Sequence, residues 1–413
     1  MSHSIVFENV RVLDGSAPEG EADRHVRVEA GLIEQVSDKP IKDASARRFD
    51  LRGKTLMPGL IDCHVHVTAV VVDPGRNAKL PDVTVAYGAA KIMKAMLHRG
   101  FTTVRDVGGA TFALQEAVEN GIVEAPRLVI CGKALSQTGG HTDFRGRYDN
   151  SPATSQTYRL GSMGRICDGI DECRRAARDE IRQGAQFVKI MANGGVASPT
   201  DPIAFLGFSV EELVAIVEEA MNAQTYVSAH LYTDQAIQRA LNCGVRSIEH
   251  ANLIEPPTAK LLKEKGAIAC PTLVAYEALK TDGEALGMPK VSVDKIDDVR
   301  LRSPQSLEIM HQAGVSMAYG SDLLGDLHKY QSDEFIYRGR VLPAIEVIRS
   351  ATSIAAELIG MVGKIGVVKP GAFADLIVVD GDPLFNLELL TNQGRHIPAI
   401  IKDGKFVKNE LNA

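Results

Sequence analysis

Short apolar runs alternate with polar turns at both ends of the chain. Residues 26–36 contain two such runs on either side of an Ala-Gly pair, the pattern of a β-hairpin. At the C-terminal end, residues 374–380 form an apolar run typical of a buried strand, and residues 400–407 flank an Asp-Gly turn. The shared pattern predicts that the two chain ends form one composite β-sandwich.

Between these ends the pattern changes to strand, helix, strand. A glycine suited to end a helix comes directly before an apolar run five times, and each run ends in a polar residue. With three further runs, this predicts eight parallel strands over roughly 260 residues, the size of a (β/α)8 TIM barrel. The predicted fold is therefore α/β, with a barrel over residues 58–363 and a β-sandwich built from residues 1–57 and 364–413.

Composition limits the classes of protein that fit this sequence. The chain has 413 residues, a net charge of -6 and no basic stripe, which argues against a nucleic-acid partner. The sequence contains no run of about 18 apolar residues, so it predicts no membrane span. The first residues do not have the pattern of a secretory signal. The six cysteines lack C-x-x-C spacing, which favours reduced thiols. We therefore expect a cytoplasmic protein that binds neither nucleic acid nor a membrane.

The first candidate for chemistry is the pair His64 and His66, at the end of the apolar run that begins at residue 60. Side chains alternate along a strand, so both imidazoles lie on the same side and can converge on one point. A transition metal is the usual occupant of such a point. An isolated His-x-His pair is equally compatible with two hydrogen-bonded histidines at a strand end.

Four further polar residues fall at the ends of predicted strands, namely Lys189, His230, His250 and Asp322. The carboxyl ends of barrel strands meet at the face that carries the active site in this fold. Each residue alone would be an ordinary hydrogen-bonding group. Their common position together with the histidine pair predicts a metal site at that face.

These motifs resemble the amidohydrolase superfamily of metal-dependent hydrolases, and the resemblance extends along nearly the whole chain. It implies that one or two divalent metal ions, zinc being the expected metal, bind at this face. It also implies that Lys189 is N-carboxylated and bridges two ions, because a free ammonium has no lone pair to offer. An uncarboxylated Lys189 beside a single ion is the alternative. The ligands that the resemblance implies are His64, His66, Lys189, His230, His250 and Asp322.

Within the superfamily the chain is most similar to bacterial prolidase-like Xaa-Pro dipeptidases, related carboxypeptidases and ochratoxin-type amidases. Residues 134–141, 191–202 and 271–274 carry this resemblance, as does the motif Ala-His-Leu-Tyr that ends at Tyr232. By resemblance, His141 contacts the carbonyl or carboxylate of the substrate, and Tyr232 binds its terminal carboxylate. A surface position for His141 and a packing role for Tyr232 are the alternatives.

The resemblance implies a binuclear hydrolase that removes a C-terminal amino acid, with Xaa-Pro dipeptides as favoured substrates. Asp322 would act as general base and then general acid, and His141 would assist the oxyanion. The alternatives are an amidase or carboxypeptidase for N-acyl amino acids such as N-aroyl-phenylalanine, a deaminase, and a non-catalytic structural relative. Relatives form homo-oligomers, which we expect here. Four arginines of the 139–165 loop are candidates to bind a carboxylate: Arg145, Arg147, Arg159 and Arg165.

Overall fold

The computed structural model describes residues 4–198 and 200–411, so the outermost residues of the predicted sandwich segments, and Pro199, lie outside the described part. The strands fall into three sheets. They are β1 Ile5–Val12, β2 Glu21–Glu29, β3 Leu32–Ser37, β4 Arg47–Asp50, β5 Thr55–Pro58, β6 Leu60–Val65, β7 Phe101–Asp106, β8 Arg127–Ile130, β9 Ala134–Ser136, β10 Gly164–Ile166, β11 Val188–Met191, β12 Val227–Thr233, β13 Ser247–Leu253, β14 Ile268–Cys270, β15 Leu376–Val379, β16 Ala399–Lys402 and β17 Lys405–Asn409.

Helices connect most of the central strands and cover them. They are α1 Pro74–Asn77, α2 Asp82–His98, α3 Phe112–Glu119, α4 Gly169–Arg182, α5 Val210–Asn222, α6 Asp234–Asn242, α7 Pro256–Glu264, α8 Leu273–Ala278, α9 Lys290–Arg300, α10 Ser303–Gln312, α11 Glu334–Gly339, α12 Ala344–Ser350 and α13 Ser353–Leu358. Short 3-10 segments lie at Ala153–Gln156, Gly325–Asp333, Leu387–Leu390 and Asn392–Gly394, and a π-helical turn lies at Leu279–Gly283.

Both chain ends contribute to a single eight-stranded sheet. Its order is β17-β16-β15-β5-β1-β2-β3, with β4 paired to β1, and the N-terminal β5 pairs antiparallel with the C-terminal β15. The two predicted hairpin turns occur at residues 30–31 and 403–404. All four residues have positive φ, which matches the twist of tight hairpin turns. The two chain ends therefore build β structure together in this shared sheet, and the β-sandwich itself stays a prediction.

The central strands are parallel, as the sequence predicts, and form a three-stranded sheet, β6-β7-β8, and a six-stranded sheet, β10-β9-β11-β12-β13-β14. Two of these, β9 and β10, are three-residue strands that the sequence pattern did not predict. The expected eighth strand at residues 315–318 is not a strand of a sheet. It makes one isolated bridge, Met317 to Ala269, in which the Ala269 N–H donates to the Ser316 carbonyl at 3.0 Å and the Ala318 N–H donates to the Ala269 carbonyl at 2.8 Å.

The largest buried apolar cluster lies between the parallel strands and the surrounding helices, and a separate cluster fills the inner face of the eight-stranded sheet. A capping box opens α5, in which the Ser209 hydroxyl accepts from the Glu212 backbone N–H and the Glu212 carboxylate accepts from the Ser209 backbone N–H.

All six cysteines are free thiols. Within residues 4–198 and 200–411, no helix is both long enough and apolar enough to cross a membrane.

Gly59 joins the shared sheet to the parallel strands, and its N–H donates to the Asp375 carbonyl at 2.8 Å. A Cβ at this position would overlap the buried Thr102 side chain, whose own Cβ would lie 2.7 Å away. We expect Gly59→Ala to lower the free energy of unfolding by about 1–3 kcal/mol through this overlap. Gly146→Ala is the matched control, because a Cβ there meets nothing within 4 Å. Equal unfolding free energies for the two variants, measured by denaturant titration, would show that this junction is not tightly packed.

Candidate metal centre

The end of β6 brings His64 and His66 to the side chain of Asp322. The Nε2 atoms of both histidines lie 3.3 Å from Asp322 Oδ1. The ligand atoms of His64, His250 and Asp322 all lie within 4.8 Å of one another. Two imidazoles and a carboxylate thus point at one small volume from widely separated parts of the chain.

Asp322 is held there by its backbone. Its φ is 49°, a left-handed conformation that is uncommon for residues other than glycine, and its N–H donates to the His64 carbonyl at 2.8 Å. The preceding Ser321 donates its hydroxyl to the buried Asp62 carboxylate at 2.6 Å. Asp62 lies two residues before His64, so these contacts fix Asp322 against the end of β6.

A second left-handed segment places His250. Simple alternation along β13 would send Glu249 and His250 to opposite faces, but φ is 69° at His250 and 57° at Ala251. Both side chains therefore reach the site. Glu249 Oε2 lies 2.7 Å from His64 Nδ1, and His250 Nδ1 lies 2.8 Å from the Thr272 hydroxyl.

A buried ion pair lies beneath the histidines. Arg105 of β7 donates to Glu249 Oε1 at 2.7 Å, and both side chains are fully buried. The same Glu249 oxygen accepts from the hydroxyls of Ser228, at 2.6 Å, and Ser247, at 2.5 Å. Burial would raise the pKa of Glu249, but Arg105 and His64 hold it well below its usual range. Glu249 therefore stays charged and orients the His64 imidazole.

Sequence reasoning missed both Arg105 and Glu249. The available signal was a charged residue inside an otherwise apolar strand, directly before the polar strand end, at both positions. Charged residues are almost never fully buried without a partner. Two such residues on different predicted barrel strands could therefore have been expected to pair.

The remaining predicted ligands, Lys189 and His230, line the same cavity. The His230 and His250 rings are 4.6 Å apart between centroids. Burial lowers the pKa of Lys189, which favours its neutral amine. Burial together with His141 holds the pKa of His230 well below its usual value, and burial together with His64 does the same for His250. These imidazoles are therefore neutral at pH 7, the form in which histidine binds metals.

Asp322 also stays in its charged form. Burial would raise its pKa, but His64 and His66 hold the pKa well below its usual range. The cavity thus contains the neutral imidazoles of His230 and His250, an anionic carboxylate oxygen and a lysine with a lowered pKa. This donor set suits zinc or a similar divalent ion, so the residues present fit the metal centre that the sequence predicts.

The two predicted substrate contacts also face this cavity. The His141 ring stacks on the His230 ring with centroids 4.2 Å apart, and the Tyr232 hydroxyl lies 3.3 Å from that of Tyr276. The structure therefore brings all eight predicted residues together in the lining of one cavity. Its other lining residues are mostly apolar: Pro74, Thr142, Phe144, Met163, Met191, Val196, Ala197, Tyr276, Leu279 and Leu324.

The candidate arginines of the 139–165 loop lie elsewhere, since none of them lines this cavity in the described part of the chain. Arg145 pairs with Asp143 at 2.6 Å, and Arg165 pairs with Asp179 at 2.6 Å. Arg159 donates to the Leu80 carbonyl at 2.8 Å. Their charges stabilise the loop and its neighbours, so a carboxylate in the cavity would need another partner.

Histidines and an aspartate gathered at the ends of parallel strands are typical of metal-dependent hydrolases. The model of the amidohydrolase family matches residues 55–407. The chain therefore belongs to the amidohydrolase family, and it is an enzyme that hydrolyses C–N bonds.

Three relatives show which members of the family this chain is similar to. The ochratoxinase of Aspergillus niger is 31% identical over 392 residues, which cover 90% of this chain and 79% of that protein. The crystal structure of a prolidase complexed with N-methylphosphonate-L-proline is 47% identical, with a TM-score of 0.96 and coverage of 98% and 100% of the two chains. A Xaa-Pro dipeptidase with bound methionine is 26% identical, with a TM-score of 0.87 and coverage of 98% and 100%. The predicted similarity to this group is confirmed.

Replacing Glu249 by Gln tests the buried ion pair. The change removes the charge that balances Arg105, so we expect the free energy of unfolding to fall by about 3–5 kcal/mol. Loss of the charged acceptor on His64 Nδ1 should also weaken divalent-metal binding about 10–100-fold, measured by chelator competition. Glu255→Gln removes an exposed ion pair with Arg302 and serves as the control. Unchanged metal affinity in Glu249→Gln would show that Glu249 does not support His64 as a metal ligand.

Proposed function

We propose that this enzyme is a binuclear metal-dependent hydrolase that releases the C-terminal amino acid of Xaa-Pro dipeptides. The observation that carries the proposal is the convergence of His64, His66, Lys189, His230, His250 and Asp322 in one cavity, together with 47% identity to a prolidase that binds a proline phosphonate. The closed, mostly apolar walls beside these residues suit a small substrate with an apolar ring.

These six residues would hold two divalent ions, with Lys189 contributing as an N-carboxylate. Reaction of its neutral amine with carbon dioxide gives an anionic carbamate and releases one proton, and the lowered pKa of Lys189 favours this amine. The bound ions would supply activation of water at neutral pH and polarisation of the amide carbonyl.

Asp322 is placed to move the proton. Its carboxylate accepts the proton of the attacking water as general base and donates it to the departing nitrogen as general acid. The nitrogen of an Xaa-Pro bond is a tertiary amide that carries no hydrogen of its own. The proton from Asp322 therefore becomes the N–H of the released proline.

His141 and Tyr232 would bind two different groups of the substrate, namely the carbonyl of the reacting amide and the terminal carboxylate. The His141 ring lies in the cavity wall against His230, and a ring that carries a proton on both nitrogens can donate from Nε2 to the carbonyl oxygen as negative charge develops. The Tyr232 hydroxyl, buried beside that of Tyr276, can donate to the terminal carboxylate of the substrate. Because none of the four loop arginines lines the cavity, this phenol is the proposed carboxylate partner.

We also infer that the parallel strands close into a (β/α)8 barrel over residues 58–363. Hydrogen bonds support closure at both edges of the two parallel sheets. Gln186 N–H donates to the Ile130 carbonyl at 2.8 Å, which joins β8 to the start of β11. On the other side Ala318 N–H donates to the Ala269 carbonyl and Cys63 N–H to the Tyr319 carbonyl, both at 2.8 Å. Residues 1–57 and 364–413 would then form the accompanying β-sandwich.

A second candidate function is hydrolysis of N-acyl amino acids. Phe144, Met163 and Leu324 pack together at one side of the cavity and offer an apolar surface to an acyl group. The 31% identity to an ochratoxinase favours the same possibility. Both reactions use the same cavity residues and differ only in the groups beside the scissile amide.

A substrate panel distinguishes the two functions. Xaa-Pro dipeptides, N-acyl-prolines and N-acyl-phenylalanines are incubated with zinc- and bicarbonate-loaded enzyme, and the released amino acid is measured. We expect release of proline from Xaa-Pro dipeptides with the highest kcat/KM. Preference for N-acyl-phenylalanine would favour the amidase function, and no release from any member would refute both.

Asp322→Asn tests the proton transfer. The amide cannot accept a proton, so we expect kcat to fall about 10²–10⁴-fold on the best substrate of the panel. Metal content, measured by atomic emission, should remain high because the other ligands are intact. Asp326→Asn, which changes an exposed aspartate nearby, is the control. Activity near that of the control would show that Asp322 does not transfer the proton.

A further inference from the structure

Asp201 lies behind His141 on a loop that follows β11. His141 Nδ1 lies 2.7 Å from the Ser198 hydroxyl and 3.4 Å from Asp201 Oδ2. The Ser198 hydroxyl is itself hydrogen-bonded to the Asp201 carboxylate. Ser198 and Asp201 are almost fully buried, at 0% and 2% exposure. An imidazole nitrogen, a hydroxyl and a carboxylate thus form one connected, water-excluded group.

The direction of hydrogen bonding in this group follows from chemistry. An ionised carboxylate only accepts, so the Ser198 hydroxyl donates to Asp201, and the oxygen of Ser198 is left to accept from His141 Nδ1–H. The Ser198 oxygen thus holds the proton on Nδ1, and the other nitrogen, Nε2, remains for the substrate, to which it donates only when it carries a proton as well.

The loop backbone is shaped around the His141 ring. Gly195 N–H donates to Asp201 Oδ2 at 3.0 Å, so the carboxylate also anchors the start of the loop. A Cβ at Gly195 would overlap the His141 ring. The absence of a side chain at Gly195 therefore lets the ring lie directly on the backbone, between this loop and His230.

A cation from a distant helix holds the same loop from outside. Lys295 of α9 donates its ammonium to the Ser198 carbonyl at 2.8 Å and the Asp201 carbonyl at 3.3 Å, and also to the Gly195 carbonyl. Three carbonyls of one loop thus converge on one charged group, which is half-buried. Burial lowers the pKa of Lys295, and Asp201 opposes that effect.

We propose that Asp201 is a positioning residue for His141, and that Lys295 locks the loop on which Asp201 lies. The inference rests on the proposed function, because His141 matters only if it contacts the reacting amide. Asp201 contacts no substrate and acts only through the orientation and tautomer of the His141 ring. The segment around α9 thereby fixes the loop that orients the His141 ring relative to the reacting carbonyl.

The first test is Asp201→Asn, which keeps the size of the side chain. We expect kcat on the best substrate of the panel to fall about 10–100-fold with little change in KM, because the His141 ring is no longer held. In a His141→Ala background the same change should lower kcat less than about twofold, since coupled residues are not additive. A comparable loss in both backgrounds would show that Asp201 does not act through His141 and would overturn the proposal.

The second test concerns Lys295. Lys295→Met should lower kcat several-fold, and Lys295→Arg should restore most of it, because a guanidinium can donate to several carbonyls. Lys290→Met on the same helix is the control, since Lys290 pairs only with the exposed Asp294 among the described residues. Full activity in Lys295→Met, or a loss equal to that in Lys290→Met, would overturn the proposal that Lys295 holds the loop on which Asp201 lies.

A readout without turnover separates this inference from the proposed function. The ¹⁵N chemical shifts of the His141 ring, assigned by comparison with His141→Ala, report which nitrogen carries the proton. We expect a protonated Nδ1 in the wild-type enzyme and a mixture of tautomers in Asp201→Asn. If no panel substrate is cleaved but the shifts behave in this way, the proposed function fails and the positioning of His141 stands. Identical shifts in the two proteins would refute the positioning.

Discussion

The active site depends on the pairing of Arg105 with Glu249 inside the parallel strands. Two charges without access to water are stable only when they neutralise each other and their remaining hydrogen-bonding atoms are satisfied. Arg105 lies on β7, Glu249 on β13 and the attached His64 on β6, and the three are joined by contacts of 2.7 Å. Any relative movement of these strands would break a buried charge contact. The position of His64 is thus determined by the core itself.

Backbone strain provides the rest of the site geometry. Asp322 and His250 both occupy left-handed conformations, which cost free energy for residues with a Cβ. Asp62 offsets part of this cost at Asp322 by holding Ser321, and the His64 carbonyl accepts from the Asp322 N–H. The surrounding structure thus fixes the carboxylate before any substrate arrives. Preorganisation of this kind is what the proton transfer proposed for Asp322 would require.

Much of this could be predicted from the sequence, because local patterns determine strand ends and tight turns. Alternation placed His64 and His66 on one side of β6, and the Asp-Gly turn near the C-terminus formed as expected. Contacts between distant residues were not predictable in this way. Glu249 reaches the site only because His250 interrupts the alternation, and the segment at 315–318 pairs with β14 through a single bridge.

The most direct test of the account is a metal titration of chelator-treated enzyme with zinc in the presence of bicarbonate. Release of proline from an Xaa-Pro dipeptide is followed as zinc is added. The account predicts that activity rises until about two equivalents are bound, and that Lys189→Ala abolishes binding of one of them. Saturation at a single equivalent, or activity that is independent of added metal, would contradict the binuclear centre.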